Sequence, residues 1–384
     1  MMNYEKNDLC SRFVAWYFNE FCQTEMFDNM LDVAEESPWH REDSVGIHTN
    51  MVVSQYLSMT PADAWTRHTL CGALACAFHD VGKPWASEKN GIKYKPERGH
   101  YKSFGGHELM SARMWENFAV LNYSRLFEVF GLTAQEIYST GWIIEHHLPW
   151  GVKRDEKLNN MALSALSLGC DPEVFTNVLL ADTFGRLSDD GPAKRQKVLD
   201  WIAEFTNRTY AVQPRHFTDV NPVLTMLIGA SGTGKSSFRA QHSTESSTFS
   251  LDDLRMEWYV EGKKIPSAED PYSVAFEAAC ADKKFKSRAN QRFIEMVKGG
   301  RNIVVDNVNT SAKRRRWYIT EARRRGYKCV AAYFPVALQQ VIDRQETRQD
   351  KTVPVDAVER QYNTLQLPQY GEFDEVLVIG SNLI

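Results

Sequence analysis

Two groups of residues able to handle phosphate lie in separate halves of the chain. In the first half, His79-Asp80-Val81-Gly82-Lys83 is accompanied at a distance by His48, His107, the pair His146-His147 and Asp182. Imidazoles and carboxylates hold divalent ions, and a pair of ions activates water and clamps a phosphate. Adjacent helical residues point about 100° apart, so His79 and Asp80 face one ion only at a helix end or bend. Gly82 and Pro84 supply such an end. Two neighbouring ions would share Asp80, and an imidazole-rich site favours Mn²⁺, Ni²⁺ or Co²⁺ over Mg²⁺.

In the second half, Gly229-Ala-Ser231-Gly232-Thr233-Gly234-Lys235-Ser236-Ser237 fits the phosphate-loop pattern. Glycines there let backbone N–H groups cradle phosphates at the start of a helix. Lys235 is expected to reach the β and γ phosphates of ATP, and Ser236 to ligate Mg²⁺. The elements that follow bear on the acceptor. Phe249-Ser250-Leu251-Asp252-Asp253-Leu254-Arg255 is expected to end the second strand, where a carboxylate can take a proton from a hydroxyl; the same residues also read as a helix N-cap with first-turn acids. Asp306 ends the run Ile303 to Val305, a place for an acid near Mg²⁺. Arg344 and Arg348 precede Val353-Pro354 and read either as a lid that brings charge to the migrating phosphoryl group or as a solvated helix end.

Positioning these residues takes two kinds of element. Apolar residues at helical spacing predict helices from Leu9 to Phe21, His48 to Leu57, Pro61 to His79, His107 to Phe118, Thr133 to His146 and Pro172 to Leu187, hence an all-helical first domain. The polar, basic segment Ser87 to Ser103, with Lys93, Lys95, Arg98 and Lys102, reads as an active-site loop. After Pro222 the pattern alternates: apolar runs at Val223 to Ile228, Ile303 to Val305 and Cys329 to Phe334 are separated by long helical stretches. This predicts an α/β domain with a parallel sheet. Between Thr209 and Pro222 helical periodicity lapses and two prolines occur, which places a linker there and the domains at 1–214 and 215–384.

Composition bounds the rest. A chain of 384 residues exceeds the size at which single cores stop growing. With 43% hydrophobic and 24% charged residues it reads as globular. It shows no signal peptide and no apolar stretch long enough for a membrane, so a cytoplasmic protein is expected. Seven scattered cysteines without a C-x-x-C pair read as reduced core residues. The net charge of −4 does not announce nucleic-acid binding. Locally, Lys313, Arg314, Arg315, Arg316, Arg323, Arg324 and Arg325 on one predicted helix could neutralise a nucleic-acid backbone or form a solvated basic face.

The second half resembles phage polynucleotide 5′-hydroxyl kinase over most of residues 222 to 370. The likeness rests on the glycine loop, Asp252 to Arg255, Asp306-Asn-Val-Asn-Thr, Arg314 to Arg316, Arg344 with Arg348, and Val353-Pro-Val-Asp356. It implies that Asp252 is the general base for the 5′-hydroxyl, that Arg255 binds the acceptor's phosphate and that Arg348 is the essential lid arginine. The family has a proline where this chain has Thr310-Ser-Ala-Lys313. Residues 45 to 190 resemble the HD-domain metal-dependent phosphohydrolases through His48, His79-Asp80, His107, His146-His147 and Asp182. That likeness makes these residues metal ligands, with the choice between His146 and His147 open, and turns Lys83 toward the phosphate.

Together the two resemble the HD-domain polynucleotide kinases. The likeness implies an RNA end-healing enzyme that phosphorylates 5′-hydroxyls and removes 2′,3′-cyclic or terminal phosphates, with RNA or DNA ends and ATP as substrates and an RNA ligase in the same pathway. A nucleotide-metabolism enzyme, joining an HD nucleotidase to a nucleoside or nucleotide kinase, is the first rival. A regulatory module with a degenerate metal site is the second.

Overall fold

A computed structural model describes residues 8–34, 41–95, 99–149, 155–167, 171–187, 192–213, 215–242, 247–261, 271–348, 353–369 and 371–380. Two compact units divide the chain, Met1–Gln213 and Pro214–Asn382.

The first unit is helix-rich. Its centre is the helix Arg67–Phe78, in which every residue from Thr69 to Phe78 is buried. A helix apolar on all sides must be surrounded by others, and this one packs against Val45–Met59, Ala134–Glu145 and Pro172–Phe184. The helix His107–Leu121 lies against Ala134–Glu145 in turn. Starts are fixed by side chains that satisfy orphan N–H groups: reciprocal boxes Thr66–Thr69 and Thr133–Glu136, and Asp171 before Pro172. The box at Thr66 is why one predicted helix from Pro61 divides into a short 3₁₀ turn, Ala62–Ala64, and the central helix. An aromatic cluster of Phe13, Trp16, Tyr17, Phe21, Phe78 and Trp115 fills the space beside it.

The expectation of an all-helical unit needs one correction. Within Ser87 to Ser103, strands β1 (Ile92–Lys95) and β2 (Gly99–Lys102) form an antiparallel hairpin; Arg98 lies outside the described residues. Helix Pro192–Ala211 also runs two residues past Thr209, into the predicted linker.

The second unit carries a five-stranded parallel sheet: β3 (Val223–Ile228), β4 (Ser247–Phe249), β5 (Ile303–Val305), β6 (Lys328–Tyr333) and β7 (Glu375–Val378), in the order β4-β5-β3-β6-β7. β5 is apolar and buried throughout and β3 is apolar but for Thr225, as a sheet covered on two faces requires. Leu227, Val304, Ala332 and Phe334 form one side of its core against Phe238 and Ile379. Ser311 caps the helix Ala312–Arg323 by accepting from the Arg314 N–H, so this chain starts that helix without a proline.

Among the described cysteines Cys71, Cys76 and Cys329 are buried, Cys10 and Cys22 half-buried, and Cys280 exposed, so the expectation of core residues fails at Cys280. No helix among the described residues is long and apolar enough to cross a membrane.

Candidate functional site

The central helix ends at Phe78, and His79 to Gly82 turn away from it before the next helix, Lys83–Asn90, begins. In this turn His79 and Asp80 face the same point. The surrounding helices add His48 from Val45–Met59, His107 from the first residue of His107–Leu121, His147 just past Ala134–Glu145, and Asp182 from Pro172–Phe184. All are buried. Gly82 makes the approach possible: a Cβ there would sit 2.7 Å from both His107 O and Ser111 N. Its N–H donates to Ser111 Oγ at 2.9 Å.

Asp80 is the hub. Its Oδ2 lies 3.0 Å from His79 Nε2, 3.6 Å from His48 Nε2 and 2.8 Å from Lys83 Nζ. Its Oδ1 lies 3.1 Å from His107 Nε2 and 3.7 Å from His147 Nε2. Asp182 Oδ1 joins the first side, 3.2 Å from His48 Nε2. Two groups result, His48-His79-Asp80 and Asp80-His107-His147, each with its donor atoms within 4.8 Å of one another.

The ring orientations fit metal ions. His79, His107 and His147 each turn Nδ1 to a backbone oxygen, of Cys76 (2.8 Å), Phe104 (2.7 Å) and Ile144 (2.7 Å). A carbonyl only accepts, so Nδ1 carries the proton and Nε2 of a neutral ring presents a lone pair inward. His48 is oriented by Glu42, whose Oε1 is 2.8 Å from Nδ1. Nε2 atoms then face one another at 3.4 Å (His48–His79) and 3.3 Å (His107–His147) beside two carboxylates. Facing lone pairs repel unless a cation or proton lies between them.

Electrostatics follow from this crowding. Burial raises the Asp80 carboxyl, but the charges of His79 and Lys83 and hydrogen bonds from His107 and His79 carry it well below the usual range. Burial also raises Asp182, outweighed by the His48 hydrogen bond and nearby histidines, so it too is lowered. His147 is lowered to about 3 by burial, then by His107 and His79. Burial lowers His107, yet its hydrogen bond to Asp80 leaves it raised. His146 joins neither group; it stacks on Trp142 at 4.6 Å and turns Nδ1 to Trp142 O.

In the second unit the sheet order brings the predicted residues to neighbouring strand ends. The glycine loop follows β3, Asp306 follows β5 beside it, and the helix Leu251–Tyr259 follows β4 beside that. Ligands bind at this carboxyl edge in open parallel sheets. Gly232 and Gly234 adopt φ of 97° and 95°, conformations that cost a side chain dearly. Lys235 Nζ donates to Gly229 O (2.8 Å) and Ala230 O (2.6 Å), and Thr233 Oγ1 to Ala230 O. Ser231 is buried, while Ser236 and Ser237 are exposed at the start of the helix Lys235–His242.

Asp252 is a first-turn acid of a helix capped by Ser250, so the N-cap reading describes its backbone. Its Oδ1 is 2.5 Å from Arg255 Nη1 and accepts from Tyr272 Oη at 3.3 Å. Burial and then the Asp252 charge push Tyr272 up to about 12, against the pull of Arg255 and Arg348, so these four share one neighbourhood. Arg239 spans Asp253 (2.9 Å) and Asp306 (3.3 Å). Arg344 donates to Gly232 O at 3.3 Å, and Gln345 Nε2 to Ser231 O at 2.9 Å. Arg315, in the basic run, is buried and locked to Glu372 and to three backbone carbonyls, whereas Lys313, Arg314 and Arg316 are exposed.

Glu42, Arg239, Tyr272 and Gln345 escaped the sequence reading. Only Gln345 had a signal, its place between Arg344 and Arg348.

With this geometry in hand, residues 224–368 match the family model described as AAA domain. The second unit is a P-loop kinase-like domain. No curated protein matches the chain. Among solved structures a gluconokinase from Sinorhizobium meliloti 1021 is 18% identical, with a TM-score of 0.25 over 41% of this chain and 82% of that one.

Proposed function

We propose that the chain is a bifunctional nucleic-acid end-healing enzyme: the second unit transfers the γ-phosphoryl group of ATP to a 5′-hydroxyl, and the first removes 2′,3′-cyclic or terminal phosphates. The observation that carries the reading is Asp80, which turns one oxygen to His48 and His79 and the other to His107 and His147. The same chain sets Asp252 and Arg255 at the P-loop edge of its sheet.

In the first unit His48, His79, Asp80 and Asp182 would hold one ion, and Asp80, His107 and His147 a second. Ions bound there supply a nucleophilic water at neutral pH and neutralise phosphate charge. Lys83, buried beside Asp80, directs its ammonium to a phosphate oxygen. Glu42 and the three backbone carbonyls hold the imidazoles in the tautomer that ligates.

In the second unit the loop from Gly229 to Ser237 would hold the ATP phosphates, and Ser236, with Asp306 beside it, would hold a Mg²⁺ that offsets their charge. Asp252 takes the proton of the attacking hydroxyl as the γ-phosphorus leaves ADP. Arg255 binds the phosphate next to that hydroxyl. Lys235, Arg344 and Arg348 offset the charge that develops on the transferred group.

Competition between a 5′-hydroxyl RNA oligonucleotide and free nucleosides for labelled γ-phosphate tests this acceptor. The oligonucleotide is expected to take most of the label at equal concentration. Preference for the nucleosides would move the chain to nucleotide metabolism.

A further inference from the structure

The hairpin β1–β2 is inserted between two elements of the metal cluster and takes no part in it. It leaves the helix that begins at Lys83 and returns four residues before His107. Its root is closed by Ser103 N–H donating to Gly91 O and by Asn90 Nδ2 donating to Gly105 O at 3.0 Å. Seven helical steps separate Lys83 from Asn90, about 10 Å at 1.5 Å per residue. A strand lying along the hairpin would therefore have its end near the cluster.

The surface of the hairpin is unlike that of a solvated loop. Directly paired residues share a face, so the register places Ile92, Tyr94, His100 and Lys102 together and Lys93 with Tyr101. Ile92 is 70% and Tyr94 63% exposed. Lys93, His100 and Lys102 are exposed as well. The Tyr94 and His100 rings lie 5.2 Å apart. In a chain of net charge −4, residues 91–103 hold Lys93, Lys95, Arg98 and Lys102 against one acid, Glu97. Exposed rings interleaved with cations suit single-stranded nucleic acid, whose bases stack on rings while its phosphates pair with cations.

We propose that the β1–β2 hairpin is the arm on which the metal site holds a single-stranded polynucleotide, with Tyr94 and His100 stacking a base and Lys102, on the same face, pairing with a phosphate. The inference rests on the phosphohydrolase reading of that site. It requires that the hairpin act on substrates long enough to reach it and leave mononucleotides untouched.

The test measures kcat and KM on the full chain for opening and removal of a 2′,3′-cyclic phosphate from an RNA oligonucleotide and from a mononucleotide. The variants are Tyr94→Ala, Tyr94→Trp and Lys102→Ala. Tyr94→Ala is expected to raise KM for the oligonucleotide about tenfold, the worth of one stacked base. Lys102→Ala is expected to lower the salt slope of oligonucleotide binding by roughly 0.7, one lost phosphate contact. Both should leave kcat and all mononucleotide constants unchanged, and Tyr94→Trp should restore the oligonucleotide KM. Unchanged oligonucleotide KM in every variant overturns the arm while the phosphohydrolase stands, as does equal damage to both substrates, which would make the hairpin a part of the fold. Wild-type protein that hydrolyses neither substrate overturns the reading beneath it as well.

Discussion

His147 shows how a single residue type acquires its role from surroundings. Its ring is buried, its Nδ1 is committed to Ile144 O, and its Nε2 looks at His107 and Asp80. The residue beside it, His146, is turned onto Trp142 instead. Sequence could not separate the two, because the helix ends at Glu145 and the turn that follows decides which ring points inward. The other inward residues, His48, His79, Asp80, His107 and Asp182, were legible as a set, since two adjacent ligands demand a helix end and the glycine at 82 supplies it. Glu42 was not legible: a lone glutamate carries no spacing. The depressed His147 has a consequence for stability. Its folded value of about 3 lies below the 6.5 of a free imidazole, so between those values the unfolded chain binds the extra proton. Its contribution is complete above pH 6.5 and is lost as pH falls toward 3. In chelator-treated protein, the denaturant midpoint of the first unit is expected to fall from pH 7 to pH 5, and His147→Gln to remove part of that fall. Identical pH slopes in the two proteins would contradict the burial of a neutral ring.

At the scale of elements, the long apolar-periodic helices and the strands β3, β5 and β6 were readable because their burial patterns are nearly complete. The hairpin was not, since four residues in which Ile92 and Tyr94 alternate with lysines are too short a run to stand out from the polar, basic segment around them. The Pro61 run hid a break because Thr66 caps the second helix with a threonine that composition alone reads as neutral. Packing between elements is close where Gly82 meets the His107 helix. Gly82→Ala would press a methyl group to 2.7 Å from backbone atoms on that helix, and overpacking of this kind costs about 1–3 kcal/mol. Lower thermal stability and weaker metal uptake on the His107–His147 side are expected, read by calorimetry and metal titration. Wild-type values for both would show that the close approach is not needed.

At the scale of the whole molecule, two units each hold one set of the predicted residues: a helical cage around Asp80 and a parallel sheet bearing Lys235. The fold class was legible because helical periodicity in the first half gives way to strand–helix alternation in the second. The chemistry proposed for the first unit came from spacing and resemblance, and the buried histidine–aspartate cluster is the observation that supports it. The account makes the two activities separable by mutation, since no residue serves both sets. The direct test supplies the full chain with ATP, Mg²⁺, Mn²⁺ and an RNA oligonucleotide bearing a 5′-hydroxyl and a 2′,3′-cyclic phosphate, and resolves both ends in wild type, Lys235→Ala and Asp80→Ala. The account predicts that wild type changes both ends, Lys235→Ala only the 3′ end and Asp80→Ala only the 5′ end. Unchanged ends in wild type, with turnover of mononucleotides in their place, would contradict it.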